Sequence, residues 1–198
     1  MSEWKEYYPN GQLKSIFIGA DIAFDGKWTH WYENGKKKRE GAYKNGKKFG
    51  KWTYWWENGQ KEKEGSYTEG KEFGKWTWWR ENGQKFYERT YKDGVEDGLF
   101  TQWYSNGKKY KEGTFKDGLM NGLWAYYFDN GNKNGEGSFK NGDGSDLGNT
   151  GIPKNGRDGL WTFRYENGQK KAEINYKDGK IISSKYWDED GKIWKKGK

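Results

Sequence analysis

Along most of the chain, aromatic and polar residues alternate in short runs that end at glycine. Lys51-Trp52-Thr53-Tyr54-Trp55-Trp56 leads into Glu57-Asn58-Gly59, and Lys61-Glu62-Lys63-Glu64-Gly65-Ser66-Tyr67 leads into Glu69-Gly70. Runs of about 6 to 8 residues that are rich in aromatics and Thr, closed by Asn-Gly or Asp-Gly, predict antiparallel strands joined as hairpins. Helix is a poor competitor, because 31 of the 198 residues are Gly and would interrupt every helical window.

The pattern then repeats. Gly26, Gly50, Gly74, Gly98 and Gly122 are spaced by 24, and Gly159 follows after 37. Counting from these glycines, column two holds Trp28, Trp52, Trp76, Phe100, Trp124 and Trp161, and column five holds Trp31, Trp55, Trp79, Trp103 and Tyr127. Asn-Gly fills columns eight and nine, Glu column fourteen, and Tyr or Phe column seventeen. The expected copies are residues 2–25, 26–49, 50–73, 74–97, 98–121, 122–158, 159–181 and 182–198, the last truncated. An insert of 13 residues, near 143–155, lengthens the sixth copy without breaking the register that resumes at Gly159. No linker interrupts the series, which predicts one array.

A single hairpin is marginal in water, whereas stacked hairpins pair every edge but the terminal two. Columns two and five have opposite parity, so their rings point to opposite faces of the strand. Gly41, Gly65, Gly113 and Gly137 leave space for a large ring, expected from the preceding strand. At about 4.8 Å between strands, eight copies would extend on the order of 75 Å. The predicted fold is all-β: an elongated, single-layer, twisted antiparallel sheet of about eight stacked 24-residue hairpins.

Composition supplies the core. Aliphatic residues are scarce, but Phe, Trp and Tyr make up 20% of the chain, and each can bury roughly 150 to 250 Å². The interior is therefore aromatic. There is no cysteine, hence no disulfide, thiolate zinc site or thiol nucleophile. MSEWKEYYPNGQ lacks a basic and apolar leader, so the expected location is the cytoplasm. The net charge of +8 is finely interspersed rather than blocked.

The combination G-x-W-x-x-[WY]-[WY]-E-N-G-Q-K-x-x-E-G-x-Y-K-x-G-K, read at 50–71 and 159–180, resembles the bacterial variant of the MORN repeat from Trp4 to Gly191. The resemblance implies stacked hairpins and a non-enzymatic role in binding or scaffolding. Some relatives of this kind are antitoxins or immunity partners, and the wider family is associated with membrane-proximal proteins. The insert and the decayed end copies depart from the pattern; those ends resemble caps.

Each residue that suggests chemistry also has a structural role open to it. His30 occupies a column that other copies fill with Tyr54, Trp78 and Tyr126, which assigns it a structural place. The column-fourteen glutamates are near-identical residues in near-identical surroundings, unlike an acid/base pair, and are expected to bind cross-strand Lys or the next turn. Asp143 and Asp146 are a weak calcium candidate, since Ile152 stands where a calcium loop needs a bidentate Glu. The alternative is a polar surface loop. No phosphate-binding glycine motif occurs, no cofactor is implied, and no catalytic residue emerges.

Most rings are expected in the core, while Trp31, Trp55, Trp79 and Trp103 on the other face are the candidates for holding a partner. The leading expectation is a non-catalytic repeat scaffold for protein–protein interaction, with an antitoxin-like role as the specialisation the resemblance implies. Alternatives are association with anionic lipid through scattered Lys and self-association through terminal strands. Lysine and glutamate alternate too closely to form a groove for nucleic acid, and a pI of about 9.2 excludes a globally acidic mimic of it.

Overall fold

The structure, a computed structural model, describes residues 2–20, 25–147 and 151–194. The expected copies 2–25 and 182–198 and the insert 143–155 thus extend in part over positions outside the described residues. The protein is all-β and divides into two compact units, residues 1–95 and 96–198. The first contains Ser2–Tyr7 (β1), Leu13–Ala20 (β2), Asp25–Trp31 (β3), Lys37–Lys44 (β4), Lys47–Trp55 (β5), Lys61–Thr68 (β6), Lys71–Trp79 (β7) and Lys85–Lys92 (β8). They pair in chain order, each antiparallel to the next. The second contains all but the first residue of Val95–Trp103 (β9), and Lys109–Lys116 (β10), Leu119–Tyr127 (β11), Lys133–Gly142 (β12), Arg157–Arg164 (β13), Lys170–Lys177 (β14) and Lys180–Tyr186 (β15), paired in the same way. Among the described residues no helix is long and apolar enough to cross a membrane.

Two turn types alternate, and their glycines have different duties. At Asn45-Gly46 both residues are left-handed (φ 51° and 70°), as they are at Glu69-Gly70 (φ 51° and 80°). These are two-residue turns whose twist matches that of the flanking strands. At Asn34-Gly35 and Asn58-Gly59 only the glycine is left-handed. Here the Gly59 N–H donates to the Trp56 carbonyl and the Trp56 N–H to the Gln60 carbonyl, at 2.9 and 2.8 Å, a wider turn closed by a glycine bulge. The Asn-Gly of columns eight and nine therefore does not form the tight turn its sequence suggests, unlike Asn45-Gly46. Its Asn side chain is used instead: Asn58 Oδ1 accepts from the Gln60 N–H at 2.8 Å, and Asn58 Nδ2 donates to the Glu81 carbonyl of the next copy at 2.7 Å.

One face of each unit carries the aromatic core. Trp52, Trp76, Trp124 and Trp161 are at most 1% exposed. Gly50, Gly74, Gly122 and Gly159, two residues before them, are left-handed with φ between 66° and 70°, and the register shifts where each faces the preceding strand. The resulting bulge lays each indole flat over Gly41, Gly65, Gly113 and Gly137, respectively. The ring thus comes from the following strand, not the preceding one as expected, because the bulge advances it past its own hairpin partner. Each indole N–H donates to the carbonyl one residue after that glycine, as from Trp52 to Ala42 at 3.0 Å. Each ring also meets an aromatic neighbour edge-on, as Tyr67 and Trp76 do at 4.9 Å, the geometry that aromatic quadrupoles favour.

The insert leaves β12 and β13 paired but is not wholly a polar surface loop. Ile152 and Pro153 are buried, and Ile152 packs over Gly135. Arg157 joins them: its guanidinium donates to the Pro153 and Ile152 carbonyls at 2.8 and 2.9 Å and to the Tyr176 hydroxyl at 2.8 Å. Each of its three guanidinium nitrogens thus donates a hydrogen bond next to rings, which offsets the burial of a cation.

Candidate partner-binding face

The opposite face has a different chemistry. Trp31, Trp55 and Trp79 end β3, β5 and β7, each two strands from the next, and all are partly buried. Two strands separate them by about 9.6 Å. Trp103 ends β9 in the second unit, where the column continues as Tyr127 and Arg164.

In the first unit Trp55 and Trp79 each lie beside a charged trio. Glu64 is held by Lys61 at 2.7 Å and by Lys51 across the hairpin at 3.3 Å, and Glu88 by Lys85 at 2.8 Å and Lys75 at 2.9 Å. Lysines from the same strand thus share the cross-strand pairing expected from the sequence. Lys37 lies 5.7 Å from the Trp55 ring and Lys61 5.5 Å from the Trp79 ring, within cation–π range. Burial alone would raise the pKa of Glu64 and Glu88, but hydrogen bonds from their lysines outweigh it and hold both below the ordinary carboxylate value. A groove of about 430 Å³ beside Trp79 lies between these trios, and one of about 530 Å³ beside Trp55 lies between the Glu64 trio and Glu40.

The second unit varies the theme. Glu112 is bound by Lys109 at 2.6 Å and accepts from the Tyr127 hydroxyl at 2.5 Å. Burial first, then the Glu112 carboxylate, raises the pKa of that phenol. Column one changes from Lys27, Lys51 and Lys75 to Leu99, Leu123 and Leu160, and the leucines are 73%, 65% and 58% exposed. Phe49 and Phe73 are likewise exposed on the first unit. The three leucines, one in each of copies 98–121, 122–158 and 159–181, are legible in the aligned columns but are absent from the ring-bearing candidates.

The remaining sequence candidates sit elsewhere. His30 stacks on Trp28 at 5.4 Å, with Arg39 4.7 Å from the same indole. Burial first, then the neighbouring Arg39 charge, lowers its pKa. Asp143 accepts from the Ser145 N–H at 2.8 Å and from Asn155 at 2.9 Å, while Asp146 lies 3.5 Å from Lys154. Among the described residues no three His, Cys, Asp or Glu side chains converge in a metal-binding geometry.

No match was found among curated proteins. The family model described as the MORN repeat variant matches residues 2–17, 24–45, 50–69, 74–93, 96–117, 120–141 and 157–178. Those segments coincide with the hairpins whose bulges, turns and rings have just been described, and the chain belongs to the MORN repeat variant family.

Proposed function

We propose that this protein is a non-enzymatic scaffold that holds an acidic protein partner against its tryptophan-bearing face. MORN repeats are in general scaffolds for binding or interaction. The observation that carries the reading is the two-to-one ratio of lysine to glutamate around Trp55 and Trp79. One lysine neutralises each carboxylate, and the second leaves a positive charge beside an indole and a groove. Acidic side chains of a partner would meet Lys51 and Lys75 while its apolar residues cover Trp55, Trp79, Phe49 and Phe73; Trp31 extends the same column, and Trp103 is the corresponding candidate of the second unit. An antitoxin-like role is the specialisation this reading favours, with an acidic rather than a nucleic-acid-binding target.

Cross-linking in native host lysate with the wild type and with Lys51→Glu/Lys75→Glu tests it. Both lysines are exposed, so the variant should fold. The expected result is a protein partner whose capture fades with salt and is lost in the variant. Identical capture by both chains, or none at physiological salt, would defeat the proposal.

A second reading rests on β15, all seven residues of which are exposed, including Ile181 and Ile182. An exposed apolar edge strand is a template for pairing with another chain, so copies would associate through it. Light scattering over a concentration series should then show mass rising with concentration; a constant monomer mass excludes it.

A further inference from the structure

The tryptophan row on the core face stops before the strands do. Phe115 meets Trp124 edge-on at 5.1 Å and Phe139 meets Trp161 edge-on at 4.9 Å. One hairpin later the aromatic residue is Tyr176, but the strand opposite supplies Ser184, paired with Ile174, at the position where earlier copies supply an indole. Ile174 itself replaces the glycine over which that indole would lie. A cavity of about 860 Å³ occupies this place. It is lined by Phe163, Ile174 and Tyr176 from the core face, by Ile181 and Tyr186 from β15, and by Asp146 and Lys154 from the insert. Its size falls in the range of about 300 to 1,000 Å³ typical of small-molecule sites.

Two features define what would fit. The first is aromatic: Tyr176 has its hydroxyl fixed by Arg157 at 2.8 Å, which sets the ring as the next edge-on partner in a series that has no further indole. The second is charge. Lys154, Arg157, Lys171 and Lys180 line the cavity against Asp146 and Asp178, an excess of two positive charges within largely apolar walls.

We propose that this cavity binds a planar aromatic acid, with the ring continuing the aromatic row next to Tyr176 and the carboxylate drawn to Lys180, which follows the turn beside Tyr176. The site is formed mainly by copy 159–181 with the insert of the copy before it, and it is independent of the partner-binding face.

Calorimetric titration of the full chain with indole-3-acetate tests it, with indole-3-acetamide as the uncharged analogue and cyclohexylacetate as the non-aromatic one. Saturable binding of indole-3-acetate is expected, weaker by about tenfold or more for either analogue. Ser184→Trp, which places the chain's own indole in the cavity, should abolish binding. Lys180→Glu should weaken it at least about tenfold, and Leu123→Ser on the other face should leave it intact. No saturable binding up to about 1 mM, or equal affinity for the acid and the amide, would overturn the proposal. So would a folded Ser184→Trp chain that binds as the wild type does. If Ser184→Trp does not fold, the variant of the exposed Lys180 decides.

Discussion

Trp52 lies so close over Gly41 that a Cβ on that glycine would stand 2.2 Å from the indole. Ring and glycine are therefore one packing unit, repeated as Trp76 over Gly65, where the same distance would be 2.1 Å. Gly65→Ala should destabilise by about 1 to 3 kcal/mol through overpacking, and Trp76→Ala by about 3 to 5 kcal/mol through the cavity it leaves. In a double-mutant cycle measured by urea unfolding, the two should be strongly non-additive, since alanine at 65 no longer clashes once the ring is gone. Additive losses would show that the two residues do not share one space.

Tyr126 and Tyr54 occupy the same column with opposite consequences. The Tyr54 hydroxyl accepts from Lys48 at 2.8 Å and lies 3.4 Å from that of Tyr67. Tyr126 is 2% exposed and its hydroxyl has no hydrogen-bond partner among the described residues, because the matching positions are Met120 and Phe139. A buried unsatisfied hydroxyl costs about 1 to 3 kcal/mol. Tyr126→Phe should therefore raise the melting temperature, whereas Tyr54→Phe should lower it. A lower melting temperature for Tyr126→Phe would refute this account.

Asn58 joins successive turns through the two hydrogen bonds of its side-chain amide. Asn58→Ala should cost about 1 kcal/mol, within the net value of exposed bonds, and speed amide exchange at Gln60. Unchanged exchange would mean that the turn is held without it.

Glu64 and Glu88 have pKa values below the ordinary 4.5 in the folded chain. A carboxylate depressed on folding contributes stability above its unfolded pKa and loses it as pH falls through the folded value. Urea midpoints should hold steady from neutral pH to roughly 4.5 and drop below it, with a smaller drop in Glu64→Gln/Glu88→Gln. An identical acid profile for the two chains would contradict the role given to the lysine pairs.

Much of the face that carries Trp31, Trp55 and Trp79 could be read from the chain alone. Opposite parity in a strand separates column five from column two wherever the backbone is extended, so Trp55 and Trp52 are assigned to different faces before any coordinate is known. Exposed Leu123 and Leu160 escaped notice because one leucine among lysines and glycines carries no signal until copies are aligned and the face is known to be open. Ile152 escaped for the opposite reason: its neighbours Gly151 and Lys154 are polar-loop company, and only its contact with Gly135, a residue from another strand, buries it.

The sequence by itself determined where strands begin, where the chain turns and which rings share a face, since each follows from local alternation and glycine placement reinforced in every copy. The tertiary structure decided which indole covers which glycine, how the insert folds back beside Arg157, and where a cavity remains when the row of rings reaches Ser184. Those outcomes depend on the offset between neighbouring strands and on segments tens of residues apart: the bulge glycines recur in every copy, but their spacing does not state how far each advances one strand past the next.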